Sequence, residues 1–172
     1  LEAGDADVTP EDLAARLRRS FEDVLVARGE VTVTVAREGL LDALRTLRDE
    51  DDLRCTFLSD VSCTDWPGRD PRVWMAYHLR SPDRNLRVRV KAGLPEDDLR
   101  VASAVPVFPA AEWQEREVFD LFGVVFDGHP DLRRVLMPDE WVGHPLRKDH
   151  PLGGVPTQYK GASVPPPDQR GL

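Results

Sequence analysis

Between Glu112 and His150 the chain gathers side chains able to move protons or hold metal. Glu115, Glu117 and Asp120 surround Arg116, and His129, His144 and His150 follow with Asp127, Asp131 and Asp149 beside them. Three imidazoles near carboxylates suggest a stand-alone His-dependent metalloenzyme using zinc or manganese. The spacing speaks against it. Helical sites place two His on one face at fixed intervals, whereas His129 and His144 each stand between Gly and Pro. Gly-His-Pro reads as a chain reversal, with Gly giving unusual φ and Pro fixing the exit. The carboxylates are candidates for acid–base work, but Arg116 beside them favours their ionised forms. Cys55 and Cys63 lack Cys or His neighbours at ligand spacing and read as reduced thiols. There is no G-x-S-x-G, no G-x-G-x-x-G and no Walker loop. No residue is assigned as catalytic, cofactor-binding or metal-ligating.

The same stretch reads better as a surface. As a helix, EWQEREVFDLFG places Trp113, Arg116, Glu117 and Asp120 on one stripe, with Val118, Leu121 and Phe122 on the other side. Arg116 is expected to pair with Glu112 and Asp120, each pair worth about 0.2–0.5 kcal/mol if exposed. That is too small to explain the arrangement as stability. Arg oriented by carboxylates beside an exposed Trp suits a face that meets a partner chain. Gly123 is expected to end the helix in a left-handed cap.

Composition narrows the classes further. The chain has 172 residues, enough for one ordinary core without staples. Its net charge of −8 disfavours a nucleic-acid binder and an anionic membrane surface. No window is apolar enough to span a bilayer, and LEAGDADVTPED lacks a signal-peptide layout, so a soluble, cytoplasmic chain is expected. Leu1 in place of an initiator Met implies that the numbering starts inside a longer gene product.

Periodicity predicts an α+β fold. Thr9-Pro10-Glu11-Asp12 opens a helix expected to run to about Val26, with Leu13, Leu17, Phe21, Val24 and Leu25 inward and Gly29 at its end. A strand at 31–36, a second helix over 40–50 burying Leu40, Leu41, Leu44 and Leu47, and strands near 54–64, 72–80 and 85–92 follow. Ser81-Pro82-Asp83-Arg84 joins the last two as a hairpin, and Arg87, Arg89 and Lys91 give the sheet a polar face. From Pro95, short helical turns broken by Pro106 and Pro109 precede the charged helix. The expected architecture is an N-terminal helix, a mixed sheet of about four strands with a second helix, the charged helix, and an extended Pro-rich C-terminal tail. Residues 1–126 form the globular domain, and 127–172 an extended segment docking on a partner. Residues 151–172, with PPP at 165–167, bury almost nothing of their own and are expected to be protease-sensitive when free.

Glu115-Arg116-Glu117, Asp120-Leu121-Phe122, His129, Arg133 and Val135-Leu136, in this spacing, resemble the pattern of the thirty-kilodalton subunit of respiratory NADH:quinone oxidoreductase, complex I. GHPLRKDHP at 143–151 resembles the same family's closing element, and FLSDVSCTDW and YHLRSPDRNLRVRV extend the likeness back to about residue 54. Phe119 departs from the Tyr common in that family. The resemblance implies a non-catalytic scaffold in the peripheral arm, holding no flavin, iron–sulfur cluster or quinone itself. It implies docking on the quinone-site subunit, of the forty-nine-kilodalton type, and on the adjacent cluster-bearing subunit. The assembly would hold FMN and iron–sulfur clusters, use NADH and a quinone, and lie at the cytoplasmic face of the cell membrane, which this chain meets only indirectly. Electron transfer there would be coupled to ion translocation. The residues it marks for structure or docking are Trp113, Glu115, Arg116, Glu117, Asp120, His129, Arg133 and Arg134, then His144, Arg147, Lys148 and Asp149. The alternative is the equivalent subunit of a membrane-bound energy-converting nickel–iron hydrogenase.

Overall fold

The computed structural model describes residues 8–151 and the backbone of 157–159 and 162–164. Helix α1 (Pro10–Leu17) starts as the sequence predicts: Thr9 Oγ1 accepts the Asp12 N–H at 3.2 Å and Pro10 sits where no amide is missed. It ends at Leu17 and does not continue to Val26. Asp23–Ala27 is a strand, β1, paired antiparallel with β2 (Glu30–Val35). Arg28 and Gly29 both have positive φ, 55° and 76°, the pattern of a tight turn whose twist matches a hairpin. Val24 and Val26 pair with Val33 and Val31, and such β-branched pairs favour the sheet. Gly29 is therefore a hairpin residue and not a helix cap.

A single 3-10 turn leads into α2 (Leu40–Asp49), which buries Leu40, Ala43, Leu44 and Leu47 and leaves Leu41 half-buried. Each fully buried leucine contributes about 1.5–3 kcal/mol of transfer energy. Strands β3 (Phe57–Asp65), β4 (Val73–Ser81) and β5 (Leu86–Leu94) form an antiparallel meander, with the turn after Ser81 closed by Asn85 at φ 51°. The sheet order is β1-β2-β5-β4-β3, with β2 parallel to β5. The sheet is thus mixed and five-stranded, one strand more than expected, because the apolar spacing of β1 fits a helix as well as a strand. Its buried face carries Val31 and Val33, Leu58 and Val61, Met75 and Tyr77, and Val88 and Val90, packed in one core with the leucines of α1 and α2.

Past the meander, β6 (Arg100–Ala102) runs parallel to β7 (Val125–Asp127), and α3 (Ala111–Phe122) makes the crossover between them. The expected helical turns thus include one strand. From Gly128 to Pro151 the described chain has no helix or strand, and a short antiparallel pair, Thr157–Tyr159 with Ala162–Val164, lies beyond. The protease sensitivity expected of 152–172 falls largely outside the described residues.

Candidate functional site

Helix α3 forms over the predicted span and ends at Gly123 in the left-handed conformation, φ 80°. Its buried residues are Ala111, Glu115, Arg116, Val118 and Asp120, so the charges lie inside and Trp113 and Glu117 lie outside. The predicted Arg116 pairs with Glu112 and Asp120 are absent from the described interactions. Arg116 instead donates to the carbonyls of Arg133 (Nε, 3.2 Å) and Arg134 (Nη2, 3.3 Å) and lies 4.5 Å from the Trp113 ring centre. Arg116, only 5% exposed, is thereby held by its own chain.

Asp120 is the hub. One oxygen accepts the backbone N–H groups of Val135, Leu136 and Met137 at 3.0, 2.8 and 2.9 Å, and the other meets Arg134 Nη1 at 2.5 Å. Burial pushes this carboxyl up, but the donors of Met137, Leu136, Arg134 and Val135 outweigh it and hold it at about 2. Arg134 also donates to the carbonyls of Trp141 and Gly143, and the Asp120 carbonyl contacts His144 Nδ1 at 2.9 Å. Helix α3 is therefore clasped by the segment that returns after β7. Gly123 is required where they cross: a Cβ there would lie 2.6 Å from His144 Cδ2. Phe119 meets the same imidazole edge-on, at 6.4 Å between ring centres.

Glu115 faces the other way and is fully buried. It accepts from the Ser103 hydroxyl and the Ala104 N–H, each at 2.6 Å. Burial raises its pKa despite these bonds, and Arg116, expected to favour the ionised form, is not among the groups that act on it. His129 Nδ1 accepts the Asp131 N–H at 3.0 Å, so Nε2 carries the proton and donates to the Glu112 carbonyl at 2.9 Å. Both ring nitrogens are thus engaged within the chain, Nδ1 across the turn and Nε2 on helix α3. Arg133 is exposed and pairs with Asp131.

A second clasp joins the Arg147-Lys148-Asp149 run to the sheet. Arg72, on the approach to β4, grips buried Asp65 through two bonds of 2.6 and 2.9 Å. It also pairs with Glu96 and reaches Asp149 at 3.1 Å. The Lys148 N–H donates to Asp65 at 2.8 Å, and Arg147 holds Asp149 in a fork. The Arg72 hydrogen bond lowers the Asp65 pKa, and the Arg147 hydrogen bond holds Asp149 at about 2. Sequence reading finds Arg147, Lys148 and Asp149 but misses Asp65 and Arg72, whose one visible signal is charge at the ends of two apolar strands. His150 stands against Gly143, 3.1 Å from its ideal Cβ position.

The two thiols do not suit a cluster. Cys55 and Cys63 are buried, and burial pushes both thiols up to about 12, far from the thiolate a cluster needs. No helix among the described residues is long and apolar enough to cross a membrane. Around the clasp, Val135, Leu136, Trp141, Val142 and Leu146 remain exposed.

A family model described as respiratory-chain NADH dehydrogenase, 30 Kd subunit, matches residues 33–156. The chain is 51% identical over 170 residues to the NADH-quinone oxidoreductase C-subunit of Nocardioides sp., covering 95% of this chain and 68% of that protein. It is 51% identical over 152 residues to the same subunit of Saccharopolyspora erythraea, covering 88% of this chain, and so spans 61% of that relative's length. Among solved structures, the trypsin-resistant fragment of Nqo5 is 27% identical with a TM-score of 0.61, covering 71% of this chain and 97% of that one. The archaeal membrane-bound sulfane sulfur reductase, a respiratory membrane complex, contains a chain 25% identical with a TM-score of 0.66, covering 83% of this chain and 85% of its own.

Proposed function

The chain belongs to the respiratory-chain NADH dehydrogenase 30 Kd subunit family, and from that premise we propose that it is a non-catalytic scaffold of the peripheral arm of NADH:quinone oxidoreductase. One observation carries the reading. The buried charged groups of both motifs, Glu115, Arg116, Asp120, Asp65 and Arg72, find partners within the chain, while the loops they shape expose Val135, Leu136, Trp141, Val142 and Leu146. Val142 is 88% exposed. The ion pairs fix a backbone that displays apolar side chains, as an interface core requires.

In this reading residues 127–151 are the docking segment, and Glu115, Arg116, Asp120, Arg134 and Asp149 act by shaping it. Trp113 and Glu117 are exposed on α3, and Trp113 lies over Arg116, which holds the carbonyls of Arg133 and Arg134. Its partner is the quinone-site subunit, with the cluster-bearing subunit adjacent. FMN, iron–sulfur clusters, NADH and quinone belong to the assembly and not to this chain. The assembly sits at the cytoplasmic face of the membrane, and coupled electron transfer and ion translocation take place in the other subunits.

The likeness to the archaeal reductase chain favours one second reading, the equivalent place in a related membrane-bound complex, an energy-converting hydrogenase included. The partners discriminate. The test of docking is a Trp141→Ser, Val142→Ser chain. It should fold as the parent does but lose most co-purification with the quinone-site subunit; undiminished recovery contradicts the assignment.

A further inference from the structure

Neither motif uses the solvent face of the five-stranded sheet. Register sets its side chains in rows: Phe57, Arg80 and Arg87 in one, Asp60, His78, Arg89 and Thr32 in the next, Ala76 and Lys91 in a third. The apolar residues of α1, α2 and α3 join the core on the opposite face, and among the described residues no helix covers this one. In a chain of net charge −8, the middle of the face is basic. Arg80 lies directly opposite Arg87, and His78 directly opposite Arg89. Like charges at opposed positions weaken a strand pair, so sheet formation gives no reason for them.

The nearby carboxylates match only part of this charge. Arg89 pairs with Glu30, and Asp60 stands opposite His78. Arg80 and Arg87 are exposed and join no ion pair among the described residues. Phe57, 52% exposed, is the cross-strand neighbour of Arg80, and Leu25, 58% exposed, lies on the same face three strands from His78. Exposed arginines beside an exposed aromatic have the composition of an interface centre.

We propose that this sheet face is a second docking surface, and that its occupant is an acidic polypeptide segment of another subunit, with carboxylates on Arg80 and Arg87 and an apolar side chain on Phe57. Two unmatched guanidinium forks suit a few carboxylates, each held through paired N–H bonds. A nucleic acid requires a longer run of cations, and Glu30 and Asp60 interrupt this one. The surface shares no residue with the 127–151 segment. It rests on the chain working inside an assembly, but not on which subunit that segment meets.

The test compares the full chain alone with the native assembly, using a dicarbonyl reagent that modifies arginine and peptide mass spectrometry. Arg80 and Arg87 should react freely in the chain alone and about tenfold more slowly in the assembly, with or without nuclease. Carbodiimide coupling should join Lys91, on the same face, to an Asp or Glu of another subunit. Arg80→Glu with Arg87→Glu should keep the parent's circular dichroism and lose that cross-link, while the double Arg→Lys chain keeps it. Equal reaction rates in an intact assembly, coupling of Lys91 only to this chain's own Glu30 or Asp60, or protection removed by nuclease would each overturn the proposal alone. A chain recovered without partners would overturn it together with the assembly reading.

Discussion

Replacing Asp120 by Asn keeps the size of the side chain and removes the charge on which the first clasp converges. The native carboxyl is held at about 2, against an ordinary value of 3.8. That difference corresponds to about 2 kcal/mol at neutral pH, at about 1.36 kcal/mol per tenfold change in proton affinity. Loss of the charge also leaves Arg134, 15% exposed, without its counter-ion, and breaking a buried pair costs about 3–5 kcal/mol. The two routes bracket the effect at about 2–5 kcal/mol. The loss should be concentrated in the return segment, because the three amides bound by Asp120 are those of Val135, Leu136 and Met137. Native-state hydrogen exchange should find these amides opening about 30-fold faster or more, with the amides of β4 and β5 much less affected. The pH dependence has a definite sign. A depressed folded pKa stabilises above the unfolded value, so the gap between parent and variant should be constant near neutrality and close as pH falls from about 4 toward 2. A gap under about 1 kcal/mol with unchanged exchange at 135–137 would refute the reasoning.

Further consequences concern the other buried groups. Arg72→Ala strands the fully buried Asp65 carboxylate and should cost about 3–5 kcal/mol in urea unfolding, with Arg72→Lys recovering little because one ammonium cannot replace the fork. Gly123→Ala combines a left-handed backbone, worth about 1–2 kcal/mol, with a collision at His144, and should lower the melting temperature by several degrees. Glu115 has a raised folded pKa, so its contribution is present in acid and lost as pH rises through that value; Glu115→Gln should abolish this dependence in stability measured across pH. Cys55 and Cys63 should stay unmodified by thiol reagents in the folded chain and react on unfolding.

What is legible in the sequence follows from where the decisive contacts lie. Helix α2, the meander and Gly123 are readable because periodicity and turn chemistry are local. Strand β1 is not, since Leu17, Phe21, Val24 and Leu25 fit a helical stripe as well as a strand, and Arg28-Gly29 resembles a helix cap until its two positive φ angles are seen. The pairing of β6 with β7 involves three residues each and leaves no pattern. The charged helix is evident but its inner face is not, because binary patterning sends charge to solvent. Asp120 and Arg116 are buried under residues 133–137, and no spacing within the helix shows that. Asp65 and Arg72 meet across the β3–β4 connection and close on Lys148 from far along the chain. The family resemblance marks these motif residues as important; in the folded chain the buried ones act inward, shaping the surface rather than forming it.

The central claim is that this chain works as a scaffold within an NADH:quinone oxidoreductase. It is tested most directly by affinity isolation of the tagged chain from gently solubilised membranes, with mass spectrometry and an NADH–quinone reductase assay on the eluate. Recovery with flavin- and cluster-bearing subunits and NADH-driven quinone reduction is the predicted result. A chain recovered alone with stoichiometric bound metal would contradict it.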